Sequence, residues 1–268
     1  MNKYIKTDNK ILYKFIEEFW FAPNDALLRA IETPIWNKYS FKNKKSLTIG
    51  IGDGRYDLLL FKKHKKIDVG IDVDERLVNI AKKLPLYKKV YCESAERMHF
   101  KNTSFDLVLS NSTIEHINDD LKTISEISRV LKKGGTFLFS VPVKRFPKYL
   151  KDLGISTENI KNFNKRVGHK HYRTIEEWGK ILKKNKLVIL NNYYYMDEKL
   201  LKVWWMLFKI STFKPYHREL WSYLKDSPYG KFAPKKLIIF ILKMYLKEKY
   251  KKSFTDNGAW VFIEAVKK

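Results

Sequence analysis

From residue 46 onward the chain alternates short β-branched runs with stretches that are apolar at every third or fourth position. Five runs have strand character: Leu47–Ile51, Ile67–Ile71, Lys89–Cys92, Phe105–Ser110 and Thr136–Val141. Between them lie helical patterns at Glu75–Lys83 and Leu121–Lys132, the second apolar at Leu121, Ile124, Ile127, Val130 and Leu131. Gly134-Gly135 predicts the stop of that helix after a lysine-rich last turn. Strand and helix alternating at this spacing predict parallel βαβ units and a doubly wound α/β sheet. A helix over about Thr174 to Lys184, a strand at Leu187–Tyr195 and a last strand at Ala259–Val266 extend the pattern.

Three stretches fall outside it. Residues 1–45 read as one or two helices, with Pro23-Asn24-Asp25 starting the second, and are expected to form an N-terminal helical lid. Residues 143–173 read as a basic, mostly irregular connection. Residues 198–255 read as a helical insertion, rich in apolar and basic residues, placed before the last strand. The α/β domain is therefore expected to comprise residues 46–197 and 256–268.

Composition narrows the class. With 268 residues, 44% of them apolar and 15% aromatic, the chain buries a full core and is not disordered. No apolar run approaches the roughly 20 residues of a membrane span. The start MNKYIKTDNK lacks the apolar centre of a secretory signal. The single cysteine, Cys92, excludes an intrachain disulfide, and a reducing, cytoplasmic setting is expected. The formal net charge of +25 points to nucleic acid, anionic lipid or an acidic substrate. Only nine of the 54 basic residues are arginine, whose planar fork nucleic-acid readers favour. A nucleic-acid partner is accordingly not expected, and the bias toward Lys, Asn, Ile and Tyr has the character of an AT-rich genome.

Candidate chemistry begins at "SLTIGIGDGRYD", Ser46 to Asp57, where Gly50, Gly52 and Gly54 follow the first strand. A glycine-rich turn there lets backbone N–H groups approach a ligand. The dinucleotide fingerprint would need a third glycine at Arg55, so this pattern differs from it. Asp72 ends the second strand, where a carboxylate can accept hydrogen bonds from both ribose hydroxyls. As a cap for the helix from Glu75, Asp74 is better placed.

Downstream lie "ESAERMHFKNTSFDLVLSNSTIEHI" and "ISEISRVLKKGGTFLFSVP". With the glycine turn and Asp72, these motifs resemble the class I S-adenosylmethionine-dependent methyltransferases of the broad type-11 group. The resemblance covers roughly residues 46–142 and extends weakly to "HYRTIEEWGKILKKNKLVI". It implies a Rossmann-like seven-stranded sheet whose last strand is antiparallel, with S-adenosyl-L-methionine across the carboxyl ends of the first strands. It further implies that Gly50, Gly52 and Gly54 line the methionine portion, Asp72 binds the ribose and Val73 packs on the adenine. Ser94 and Ala95 would face the adenine amino group, and Asn111 would lie beside the methionine and the methyl group. Ser94 and Thr48 stand where an acid is usual. The Thr48 hydroxyl is expected to hold a water near the cofactor's amino group.

Methyl transfer asks the protein mainly for alignment, because the cofactor is already activated. An oxygen nucleophile also needs its proton removed, whereas an uncharged amine does not. His116, in Glu115-His116, is the leading base, with a structural role in the following helix as its alternative. "GHKHYR", Gly168 to Arg173, places His169, His171, Tyr172 and Arg173 where they could overhang a substrate pocket, and His171 is the second catalytic candidate. No acid lies within that motif, so no metal is expected. Arg29 and Glu32, one turn apart, read as a helix-surface pair or, functionally, as Arg29 near the cofactor carboxylate. In the insertion, residues 203–208 and 237–242 are apolar around most of a helix and flanked by lysines. They read as a buried cap or dimer face, or as a surface that docks on anionic membrane. The expected function is methylation of a small-molecule or glycan-type acceptor, lipid-linked in the membrane version, first at oxygen. RNA methylation and a non-catalytic interaction protein are the alternatives.

Overall fold

Seven strands build one sheet: β1 (Ser46–Ile49), β2 (Ile67–Asp72), β3 (Tyr87–Cys92), β4 (Phe105–Asn111), β5 (Leu131–Pro142), β6 (Leu187–Tyr195) and β7 (Trp260–Lys267). The computed structural model describes residues 5–64 and 66–268; the first four residues of the N-terminal segment lie outside them. The strand order is β3-β2-β1-β4-β5-β7-β6. Strands β1 to β5 run parallel, and β7 enters antiparallel between β5 and β6. All four residues of β1 are buried because both faces of a parallel sheet are covered. The winding reverses between β1 and β4, which opens a crevice at their carboxyl ends.

Two N-terminal helices, α1 (Asn9–Glu18) and α2 (Pro23–Trp36), precede the sheet. From Ala26 to Trp36 only Arg29 of α2 escapes full burial. An all-round buried helix is an internal layer rather than a peripheral lid. Along the chain follow α3 (Arg55–Leu60), α4 (Glu75–Ala81), α5 (Asp120–Val130), α6 (Arg145–Asp152), α7 (Thr157–Val167) and α8 (Ile175–Lys184). The insertion supplies α9 (Glu198–Ser211), α10 (Leu220–Asp226) and α11 (Lys235–Tyr250). Helix α2 packs against α1, α3, α9 and α11, so one apolar core runs from the sheet through α2 into the insertion. A second core fills the opposite face of the sheet.

Local chemistry explains several boundaries. Asp74 starts α4 by accepting the Arg76 N–H at 2.9 Å, which leaves Asp72 free of that duty. Thr174 and Glu177 form a reciprocal capping box at the start of α8. Gly134-Gly135, by contrast, does not stop α5, which ends at Val130. Leu131 is already strand, fully buried and paired with Phe105, and the register then jumps so that Leu107 faces Thr136. Residues 132–135 form the resulting bulge, with Gly134 at φ +74°.

The connection 143–173 is likewise not irregular. Its lysines mask two amphipathic helices, α6 and α7, which bury Phe146, Leu150, Ile160 and Phe163. In the insertion, α9 buries one face through Leu200, Leu201, Trp204, Leu207 and Phe208. Helix α11 does not meet the expectation of an all-round buried cap: only Leu242, Leu246 and Tyr250 are buried. Among the described residues no helix is long and apolar enough to cross a membrane.

Candidate functional site

Two cavities open at the carboxyl edge of the sheet. The first, of about 470 Å³, runs along the ends of β1, β2 and β3 and is lined by Gly50, Gly52, Asp72, Val73, Ser94 and Ala95, among others. Gly50 (φ +72°) is glycine because a Cβ there would run into the Thr113 side chain. A Cβ on Gly52 would meet nothing within 4 Å, so that backbone borders open space. The Gly52 N–H donates to Asp72 Oδ2 at 2.7 Å, and the Asp74 N–H donates to Asp72 Oδ1 at 3.0 Å. Each carboxylate oxygen keeps further lone-pair capacity for a ligand. Val73 is 70% exposed, so it is a wall and not core.

Gly54, at the start of α3, packs toward Leu84 and lines neither cavity. The Ser94 hydroxyl accepts the Glu96 N–H at 3.1 Å. Glu93, the residue before Ser94, lines the same cavity. One of its oxygens is held by His99 at 2.8 Å, and the other is buried without a partner. The acid absent at Ser94 is thus present one residue earlier. Thr48 corrects another expectation: it pairs with Gly70 and Leu109 in mid-strand, is 1% exposed and lines neither cavity. Its unpartnered hydroxyl reaches no cofactor site.

The second cavity, of about 380 Å³, lies between α2, α7, α9 and α10. Aromatic side chains dominate its wall, Phe19, Tyr56, Trp204, Phe208 and Trp221 among them, with Arg29, Arg55, Arg166 and Lys225 as its cations. Ser112 and His116 border both cavities.

Arg29 and Glu32 are no surface pair. Arg29 donates to Glu32 Oε2 at 2.7 Å and to Ser112 Oγ at 2.9 Å. Glu32 is fully buried and also accepts from Asn111 Nδ2 (3.1 Å), Tyr195 Oη (2.7 Å) and Ser140 Oγ (3.4 Å). Burial works against the Arg29 charge, but the Glu32 carboxylate outweighs it and raises the guanidinium pKa. Asn111, whose side-chain oxygen accepts from Ser140, is turned into this network and lines neither cavity. Arg29 lines the second cavity and not the first.

His171 also stands away from both cavities. Its Nε2 meets the carbonyls of Ile117 and Asn118 at 3.0 and 3.2 Å, while Arg173 grips Asp120 at 2.7 and 2.6 Å. Together they tie the loop after α7 to the start of α5. His169 takes the place expected of His171: it lines the second cavity, its ring 4.9 Å from that of His116. Glu115 lies on the same wall, 1% exposed, with neither oxygen partnered. Burial raises the Glu115 pKa to about 8, lowers that of His116 and, with His116 beside it, lowers that of His169 to about 3.

Comparisons with known proteins concern the family and the fold. Residues 47–139 match a family model described as a methyltransferase domain. An uncharacterized protein of Methanocaldococcus jannaschii is 27% identical over 178 residues, covering 61% of this chain and 82% of that one. The ubiquinone biosynthesis O-methyltransferase of Pelagibacter ubique is 28% identical over 169 residues, covering 56% and 70%. The chain spans about half the length of several other curated relatives. A solved Thermotoga maritima structure, described as an S-adenosylmethionine-dependent methyltransferase and possible histamine N-methyltransferase, shares the fold. Its TM-score is 0.55 at 18% identity, over 96% of this chain and all of that one.

Proposed function

The chain belongs to the class I S-adenosylmethionine-dependent methyltransferases, and on that premise we propose that it methylates a small-molecule or glycan-type acceptor held in the aromatic cavity. The observation that carries this reading is the shared border: Ser112 and His116 face both cavities, so ligands in the two meet there. The residues of the first cavity fit a nucleoside cofactor. Gly52 leaves open space, Asp72 offers carboxylate acceptors, Val73 presents an exposed apolar face, and Glu93 has a buried oxygen awaiting a donor. When bound, S-adenosylmethionine supplies a methyl group already activated on a sulfonium.

The aromatic wall of the second cavity suits an acceptor with a ring or acyl body, and its arginines suit hydroxyl, carboxylate or phosphate groups on it. Transfer to oxygen is the version that uses His116, whose imidazole burial keeps uncharged. Calorimetric titration with S-adenosylmethionine and S-adenosylhomocysteine is expected to show binding of both. Incubation with methyl-labelled cofactor and a metabolite extract is then expected to label a small acceptor. Absence of binding by either ligand refutes the proposal.

A specific observation favours a membrane-associated acceptor. On α11, Leu237, Phe240, Ile241 and Met244 share one outward face by their spacing, and all are more than half exposed. Lys236 and Lys247 flank that face by their spacing, Lys243 being paired with Glu17, and the helix carries one acid, Glu248. An apolar stripe framed by lysines matches an anionic lipid surface. The chain is expected to sediment with vesicles containing anionic lipid, less so with neutral ones, and to be released by salt. Phe240→Asp should weaken that binding. A dimer that the same substitution dissociates, without vesicle binding, would assign the face to a second copy instead.

A further inference from the structure

Glu115 and His116 lie in the 3₁₀ turn Ile114–His116 that follows β4, whereas His169 lies beyond α7, more than fifty residues on. The Lys170 N–H donates to the Glu115 carbonyl at 2.8 Å and clamps the two segments together. One ligand atom from each of Glu115, His116 and His169 lies within 4.8 Å of the others.

Outer contacts orient both imidazoles. His116 Nδ1 faces Gly168, 3.6 Å from where a Cβ on that residue would sit, and Nε2 stands 3.9 Å from a Glu115 oxygen. The Tyr172 hydroxyl donates to Asn164 Oδ1 at 2.6 Å, so at 2.7 Å it accepts the proton of His169 Nδ1. That bond leaves the lone pair on His169 Nε2.

We propose that Glu115, His116 and His169 form a binding site for a divalent transition-metal cation, zinc being the best fit, on the wall of the second cavity. A fully buried carboxylate with two unpartnered oxygens is costly unless something satisfies it. Arg29 acts on Glu115 from a distance, but Glu32 already holds it. Two imidazoles and one carboxyl group, which bind the ion in their deprotonated forms, with the cavity supplying an open position, are the donor set of catalytic zinc sites. Bonds of about 2.0–2.2 Å hold tetrahedral donors roughly 3.3–3.6 Å apart, so the three atoms, now within 4.8 Å of one another, would close by up to about 1.3 Å around the ion.

The role follows from the position and rests on reading this cavity as the acceptor site. An acceptor hydroxyl at the open position loses its proton to solvent more readily, and His116 then serves as a ligand rather than as a free base.

The test uses the full chain, treated with chelator and titrated with Co²⁺ alone and then Zn²⁺. One equivalent of Co²⁺ is expected, with visible d–d absorption that one equivalent of Zn²⁺ abolishes. Glu115→Gln and His169→Ala should each weaken Co²⁺ binding at least about tenfold, and Tyr172→Phe, which leaves every ligand in place, by a smaller factor. No Co²⁺ absorption, or absorption unchanged in Glu115→Gln and His169→Ala, overturns the site. S-adenosylmethionine binding, measured on the same samples, separates the two readings: lost metal binding with cofactor binding intact refutes the cation alone.

Discussion

Glu32→Ala is expected to lower the stability of the protein by about 3–5 kcal/mol, the cost of leaving a buried charge without its partner. Glu32 is fully buried and is the common acceptor for Arg29, Asn111, Ser140 and Tyr195. Its loss strands the guanidinium of Arg29, whose side chain is 15% exposed, and frees the Asn111 and Tyr195 donors that join α2 to β4 and β6, while Ser140 keeps Asn111 Oδ1 as its acceptor. Chemical denaturation followed by circular dichroism gives the number directly. The double substitution Arg29→Met with Glu32→Met should cost less than Glu32→Ala, because no charge then remains uncompensated. A loss under about 1 kcal/mol for Glu32→Ala, the range of an exposed pair, would show that the network carries little.

The same pair shows what a sequence withholds. Two opposite charges three residues apart on a helix look alike whether that helix lies on a surface or inside. Their burial depends on α9 and α11, which cover α2 from almost two hundred residues away. The α/β core was legible because its signal is local: strands buried on both faces read as β-branched runs, and the helices between them repeat at 3.6 residues. Helices α6 and α7 escaped because lysines crowd their polar faces and leave only four buried apolar positions. Gly134-Gly135 misled because a bulge and a helix stop ask for the same residue.

The first cavity divides along the same line. Gly52 and Asp72 could be paired from sequence, since they end neighbouring strands of one βαβ unit. Asn111 and Thr48 could not be placed, because strand parity and the packing of α2 decide where they point. The meeting of Glu115 and His116 with His169 is tertiary altogether. It depends on the turn of the chain after α7, and His171, two residues on, faces elsewhere.

Asp72→Ala is expected to reduce affinity for S-adenosylmethionine by about fivefold to about 150-fold, on the basis of about 1–3 kcal/mol for stranded polar groups. Two losses combine. The ribose assignment removes a carboxylate that accepts from ligand hydroxyls, and the structure adds that the same oxygens hold the N–H groups of Gly52 and Asp74. Without them the glycine turn and the start of α4 lose their common anchor. Asp72→Asn separates the effects, since one amide oxygen can still accept while the charge and the second acceptor are gone. It should bind the cofactor more tightly than Asp72→Ala and less tightly than the parent. Thermal midpoints of the variants, taken beside calorimetric titrations, exclude unfolding as the cause. Parent-like affinity in a folded Asp72→Ala protein would place the ribose elsewhere in the cavity, and the unpartnered oxygen of Glu93 would then be the acceptor to remove next.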